Sequence, residues 1–318
     1  MSLLNIVIPG DYPPQIAGSL QLNRLSNYGE VILHADLPRN TDEQIDRVLN
    51  ADIIINTRGS VKWDREKLSR LPKLKMISTC SIGTDMIDLK YARQSGIIVS
   101  NQPGRTSYVV AEHIFGLMFA LAKQAALQTA HVKSGKWIRL ENILLTGKTL
   151  GIVGTGNIGT NMAKLGKAIG MKVIAWTFNP SKTLVAELGV QYVEFDELLE
   201  QSDVISLHVN LSEKTKNLIG TKEISKMKNG SLLINGGRGG LINTKALIEA
   251  LNSKKLGGAG LDVFDQEPIN KDHPLLMCEN VVFTPHMADQ TPEGIELLNE
   301  GAVDNVIAYL QGKPINVC

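Results

Sequence analysis

Short runs of β-branched and aliphatic residues alternate with amphipathic stretches along most of this chain. In the first third, LNIVI (4–8), EVILHA (30–35), DIIINT (52–57), KMISTC (75–80) and IIVSN (97–101) have strand length. Stretches such as TDEQIDRVLN, with Ile45, Val48 and Leu49 on one helical face, lie between them. A second series follows: TLGIVG (149–154), KVIAW (172–176), DVISLH (203–208), SLLINGG (231–237), GAGLDV (258–263) and NVVFTPH (280–286). Nearly continuous apolar strands alternating with helices predict parallel sheets covered on both faces. Two such series predict two doubly wound α/β domains.

The longest apolar segment, AEHIFGLMFALAKQAALQ, contains Glu112, His113 and Lys123. It is too interrupted to span a bilayer and predicts a buried helix, starting near Ser107 and placed to cross between the domains. The last pattern, PEGIELLNEGAVDNVIAYL, aligns Ile295, Leu298, Ala302, Asn305 and Val306. A helix there is expected to return to the first domain and make it discontinuous. The expected boundaries are 1–101, 102–287 and 288–318.

Length and charge narrow the classes. A chain of 318 residues fits about two domains. A net charge of +1 gives no ground for a nucleic-acid or membrane partner. Cys80, Cys278 and Cys318 are scattered without CxxC spacing, which predicts reduced thiols, no metal site and a cytoplasmic location. The opening MSLLNIVIPG lacks a basic flank and reads as a first strand rather than a secretory signal.

One glycine motif carries chemistry. GTGNIG follows the strand KTLGIVG and opens the helical run NIGTNMAKLGKAIG. In that setting Gly154 allows the turn, Gly156 lets backbone approach a pyrophosphate and Gly159 permits close helix–strand packing. Asn157 and Ile158 start the helix, whose N-terminus faces the anion. The acid that commonly holds a ribose 2′-OH is absent: VIAWTFNPSK puts Thr177 there. Thr177 does not repel a 2′-phosphate, and Asn179, Ser181 and Lys182 offer donors and a cation. Charge logic therefore favours NADP over NAD, although a tolerant NAD site fits the same residues. Phe178 can stack on the adenine or pack internally.

A second set lies just after the strands: Arg58, Ser81, Ile82, Gly83, Arg238, Asp262 and His286. Ligands of open α/β sheets bind outside the carboxyl ends of strands, so this row implies a cleft. Arg238 stands among glycines in INGGRGG, Glu267 in GLDVFDQEP and His286 in FTPHMADQT. Arginine, glutamate and histidine together suit reduction of a 2-oxo acid: a carboxylate clamp, a proton donor and the group that tunes it. Their spacing alone does not single out these three.

The motifs taken in order do. CSIGTDMIDLKYARQSGIIVSNQPG, VVAEHIFGLMFALAK, GKTLGIVGTGNIG, HVNLSEKTKNLIG, INGGRGGLINTKAL, GLDVFDQEP and TPH resemble the D-isomer-specific 2-hydroxyacid dehydrogenases over nearly the whole chain. The resemblance implies a Rossmann cofactor domain inserted in a flavodoxin-like substrate domain. It also implies roles. Arg238 would bind and polarise substrate, His286 would exchange the proton, and Glu267 would partner His286. The amides of Ser81, Ile82 and Gly83 would hold the substrate carboxylate. Asp262 would meet the nicotinamide end, and His208, Val209, Thr215, Gly236 and Gly237 would line the cofactor. Members of the family are typically homodimers joined through the cofactor domain.

Three departures stand out. Ser81 replaces a usual glycine, Asn210 a common proline, and Asp289 follows the histidine motif. A carboxylate at Asp289 would disfavour strongly anionic substrates, whereas Arg58 could bind a distal carboxylate or phosphate or be a surface residue. Formate oxidation is a rival that usually pairs the histidine with glutamine, so Glu267 speaks against it. A dinucleotide-sensing corepressor on the same fold would need partner-binding extensions that the pattern does not show.

Overall fold

The computed structural model describes residues 4–59 and 61–318, so Ser60 of NTRGS and the first three residues of the opening segment lie outside it. Twelve strands are assigned among the described residues: β1 Leu4–Ile8, β2 Gly29–Leu33, β3 Ile53–Thr57, β4 Met76–Cys80, β5 Ile98–Ser100, β6 Thr149–Val153, β7 Lys172–Trp176, β8 Gln191–Tyr192, β9 Val204–Leu207, β10 Ser231–Asn235, β11 Leu256–Leu261 and β12 Val281–Phe283. They form two separate sheets, and every ladder is parallel.

One unit comprises the residues up to Thr106 together with Gln290–Cys318. Its sheet runs β2-β1-β3-β4-β5, the flavodoxin-like order. β3 and β4 are buried along their full length, because helices cover both faces and leave no solvent side for polar residues. The helix Pro292–Leu310 starts on Thr291, whose hydroxyl accepts the Gly294 amide, with Pro292 in the first turn. It buries Leu298, Ala302, Val303 and Val306 against Ile6, Ile8 and Met76. Each large apolar side chain so buried contributes about 1.5–3 kcal/mol, which fixes this late segment to the first sheet.

The other unit is Ser107–Asp289. Its sheet runs β12-β11-β10-β9-β6-β7-β8, the Rossmann order with an added edge strand. The order reverses at β6, so the turn after that strand sits at the topological switch point where such sheets bind ligands. The apolar helix Ser107–Ala122 does not cross between units: it packs on β10, β11 and β12 of this sheet. Gln124 ends it in the left-handed region (φ 49°), and a second helix, Ala125–Lys133, leaves at 58°. Among the described residues no single helix is long and apolar enough to cross a membrane. The two-residue β8 has no counterpart in the sequence pattern.

Candidate active site

Three neighbouring strands bring the predicted chemistry together. β10, β11 and β12 are adjacent and parallel, so their carboxyl ends lie side by side and deliver Arg238, Asp262 and His286 to one edge. Gly239 lets the Arg238 loop meet the β11 loop: a Cβ there would stand 1.9 Å from the Phe264 carbonyl carbon. No larger residue fits, and Phe264 in turn donates its amide to Glu267 Oε1 at 2.9 Å. Glu267 Oε2 lies 2.6 Å from His286 Nδ1.

That contact assigns the imidazole's protons. Nδ1 faces a carboxylate and holds its hydrogen there, which leaves Nε2 as the position where a proton comes and goes. The His286 side chain is 48% exposed, so a ligand can reach it. The hydrogen bond to Glu267 raises the His286 pKa above its ordinary 6.5, while burial and the nearby Arg238 cation oppose the rise. Burial pushes Glu267 upward, yet the bonds from His286 and the Phe264 amide, with the charges of His286 and Arg238, outweigh it and hold the carboxylate low. The pair thus favours imidazolium beside carboxylate, next to a guanidinium.

Asp262 lies beneath this pair. Its side chain is 1% exposed, Oδ1 accepts from the Thr284 hydroxyl (2.6 Å) and the Met287 amide (3.0 Å), and Oδ2 accepts from the Ala288 amide (3.1 Å). His113 Nε2 joins from the helix Ser107–Ala122, 3.0 Å from the Thr284 hydroxyl. The carboxylate therefore serves the loop that carries His286, a task not visible in its sequence position. His113 and Thr284 are participants the sequence reading missed; the only signal for His113 was a histidine inside a strongly apolar helix.

The glycine turn fits a dinucleotide. Gly154 has φ +98°, and a Cβ there would meet the His208 backbone and Val209 at 2.8 Å, while a Cβ on Gly159 would sit 2.0 Å from the Gly154 carbonyl. Nothing lies within 4 Å of a Cβ built on Gly156, the N-cap of the helix Asn157–Ala168. No side chain caps the start of this twelve-residue helix among the described residues, and Asn157 and Ile158 open it. His208 and Val209 follow β9 beside the turn, and His208 donates its amide to Val153. Burial pushes the His208 imidazole down to about 4, so it is neutral near pH 7, with Nε2 2.8 Å from the Ser206 hydroxyl.

Other predicted residues are placed as follows. Thr177 and Asn179 lie in the loop after β7, and Lys182 begins the helix Lys182–Leu188. Phe178 meets Trp176 edge-on, centroids 4.8 Å apart. Thr215 is 2% exposed, and its hydroxyl is used inside the 210–215 loop, on Asn210 O and the Ser212 amide. Gly236 and Gly237 follow β10, and the Gly237 amide donates to Asn235 Oδ1.

In the first unit, the loop after β4 turns its carbonyls inward. Ser81 O accepts from the Thr79 hydroxyl and the Gln102 amide, Ile82 O from Asn101 Nδ2 (2.7 Å) and Gly83 O from the Ser81 hydroxyl (2.9 Å). The amides of Ser81, Ile82 and Gly83 find no acceptor among the described residues. Ser81 takes part in this loop through a hydroxyl that glycine lacks. Arg58 is differently engaged: Nε donates to Pro13 O, Nη2 to Pro14 O and Nη1 to Gln290 Oε1. Nη1 ties that loop to the return segment, and Nε and Nη2 tie it to the turn at Pro13 and Pro14.

A histidine–glutamate pair beside an arginine, on a sheet that carries a dinucleotide turn, is the equipment of a nicotinamide-dependent oxidoreductase. A family model described as D-isomer specific 2-hydroxyacid dehydrogenase, NAD binding domain, matches residues 115–288. The chain belongs to this family of D-isomer-specific 2-hydroxyacid dehydrogenases. It is 39% identical over 278 residues to the glyoxylate reductase of Thermococcus litoralis, an alignment covering 85% of this chain and 83% of that protein. It spans only 55% of the D-3-phosphoglycerate dehydrogenase of Methanocaldococcus jannaschii, to which it is 38% identical. The acyclic imino acid reductase Bsp5, solved with NADPH and D-Arg, matches with a TM-score of 0.90 at 31% identity, covering 99% of this chain and 100% of that one. D-Lactate dehydrogenase from Aquifex aeolicus, solved with NAD and lactic acid, matches with a TM-score of 0.84 at 33% identity over 97% and 96% of the two chains. These relatives are named as reductases and dehydrogenases, which sets aside the corepressor reading.

Proposed function

We propose that this protein interconverts a small 2-oxo acid and its D-2-hydroxy acid with a nicotinamide dinucleotide, NADP being favoured over NAD. The observation that carries the reading is the 2.6 Å contact between His286 Nδ1 and Glu267 Oε2 within the field of Arg238. Bound at the glycine turn, the cofactor supplies or accepts the hydride. Gly154, Gly156, Asn157, Ile158 and Gly159 hold its pyrophosphate; Thr177, Asn179 and Lys182 meet the ribose 2′ position. His208, Val209, Thr215, Gly236, Gly237 and Asp262 belong to the loops that line it.

The chain's own residues divide the rest of the work. Arg238 binds and polarises the 2-oxo acid, and the amides of Ser81, Ile82 and Gly83 take its carboxylate. In reduction the His286 imidazolium gives its Nε2 proton to the carbonyl oxygen and becomes neutral, still bonded through Nδ1 to Glu267. The reverse direction returns that proton to neutral His286. An assay of 2-oxo acids with NADH and NADPH in parallel tests the reading. Turnover with either cofactor supports it, and faster turnover per unit concentration with NADPH supports the Thr177 argument. Binding of a dinucleotide without turnover on glyoxylate, hydroxypyruvate, pyruvate and larger 2-oxo acids would count against it.

The pair sets a pH dependence. Reduction needs protonated His286, so kcat/KM holds at low pH and falls as pH rises through a value above 6.5; oxidation shows the opposite limb. Glu267→Gln removes the charge and strongest bond that raise this value. The falling limb for reduction then moves to lower pH, read from kcat/KM profiles of both proteins.

A homodimer and a cytoplasmic location complete the proposal. The helix Ala125–Lys133 buries no residue, and Val132, Trp137, Ile138 and Leu144 around it are 56%, 81%, 46% and 67% exposed. Apolar groups so concentrated suit an interface with a second copy. Light scattering is expected to give a dimer, and Trp137→Glu with Leu144→Glu a monomer. The free thiols of Cys80, Cys278 and Cys318 fit a reducing compartment.

A further inference from the structure

The loop after β7 is held at both ends. At its start, Phe178 packs edge-on against Trp176, which also lies 4.8 Å from the Phe195 ring. At its end, the Ser181 amide donates to the Tyr192 hydroxyl at 3.1 Å, and Ser181 Oγ caps the following helix on the Leu184 amide. The same Tyr192 hydroxyl lies 2.9 Å from Thr155 Oγ1. Thr155 stands between Gly154 and Gly156, and its carbonyl accepts the Thr160 hydroxyl. One phenol therefore joins the glycine turn to the loop that carries Thr177, Asn179 and, just beyond, Lys182.

The ring itself is anchored independently. Tyr192 pairs with Ala175 across β7 and β8 and packs against a core that includes Met162, Val173, Leu184 and Val190. Removing the hydroxyl should leave that packing and cut only the bridge.

We propose that Tyr192 is a positioning residue for cofactor selection: its hydroxyl sets the spacing between the pyrophosphate turn and the loop that reads the 2′ position. The inference rests on the reading that Thr177, Asn179 and Lys182 meet that position. Selectivity is a difference of two affinities. A loop ordered before binding presents Asn179 and Lys182 without the entropy loss of ordering them on contact. The pyrophosphate contacts depend on the turn and the helix start, so they survive loss of the bridge. Only the part of affinity that distinguishes a 2′-phosphate from a 2′-hydroxyl should weaken.

Calorimetric titration of NADP+ and NAD+, which differ only in the 2′-phosphate, reads this without turnover. The wild-type protein should bind NADP+ at least tenfold more tightly. Tyr192→Phe should shrink that ratio at least fivefold while NAD+ affinity changes less than twofold. Thr155→Val breaks the bridge from its other end and should act likewise, and the double variant should add nothing further. An unchanged ratio in both single variants, with a discriminating wild type, overturns the role of Tyr192. Equal binding of the two cofactors by the wild type overturns the underlying reading of Thr177, Asn179 and Lys182, and the inference with it.

Discussion

Replacing His286 with asparagine is expected to lower kcat/KM for 2-oxo acid reduction by about 10²–10⁴-fold, the range for losing a positioned general acid. The geometry explains why no neighbour substitutes. Glu267 is held low in pKa and carries no proton to give near neutral pH. Arg238 offers a guanidinium fork of donors, which suits it to stabilising charge rather than passing on a proton. The Asp262 carboxylate is itself buried, and its oxygens accept from the Thr284 hydroxyl and the Met287 and Ala288 amides. Dinucleotide affinity should remain within about threefold of wild type, because the glycine turn lies on β6 and its contacts do not involve His286 (an expectation in line with catalytic residues acting on kcat more than on cofactor binding). Stopped-flow reduction and a binding titration on the same preparation check both halves. Residual activity above one tenth of wild type would remove His286 from the proton-transfer role.

Asp262→Ala is expected to be severe in a different way, in stability and turnover together. His286 has φ +51°, a conformation that disfavours a non-glycine residue and persists only where surroundings over-determine it. Asp262 supplies that constraint twice. Its carbonyl accepts the His286 amide at 2.8 Å, and its carboxylate binds Thr284, Met287 and Ala288 on either side. Alanine keeps the carbonyl bond but strands three donors, of which the Ala288 amide is buried and the Thr284 hydroxyl and Met287 amide are partly so. At about 1–3 kcal/mol for each unsatisfied group, with partial relaxation, the loss should be at least about 2 kcal/mol. Urea unfolding followed by tryptophan fluorescence measures it. Assayed where the variant is still folded, kcat should also fall, because the histidine loop is released. Asp262→Asn retains one acceptor oxygen and should recover part of the stability. Full turnover in the alanine variant would show that the loop holds its shape without the carboxylate.

Much of the scaffold was legible because parallel sheets buried on both faces need nearly unbroken apolar runs. β1, β3, β4, β7, β9 and β10 all fall within the predicted segments. β8 escaped because two residues, Gln191 and Tyr192, are too short to show a period. The helix from Ser107 was legible from its apolar content, but not its seat on one sheet or its end at Gln124, where a backbone torsion rather than a residue preference stops it. The glycine turn was readable because Gly154 and Gly159 occupy places where a side chain collides with backbone, and only one residue type fits.

What the amino-acid order determines alone is therefore the local vocabulary: strand and helix periods, the glycine turn, the missing acid at Thr177, and the kinds of side chain available for chemistry. What only the tertiary structure decides is which of those side chains meet. His286 and Glu267 are 19 residues apart, and Tyr192 and Thr155 are 37 apart. The first pair meets because β11 and β12 are neighbours, the second because β8 and β6 both flank β7. The same applies to Asp262, whose carboxylate is turned into the protein by donors on a loop more than twenty residues away. Periodicity reports which face of an element is buried, but hydrogen bonds between loops depend on strand order. Strand order is settled by the packing of whole sheets, a long-range property that no short stretch of the chain encodes by itself.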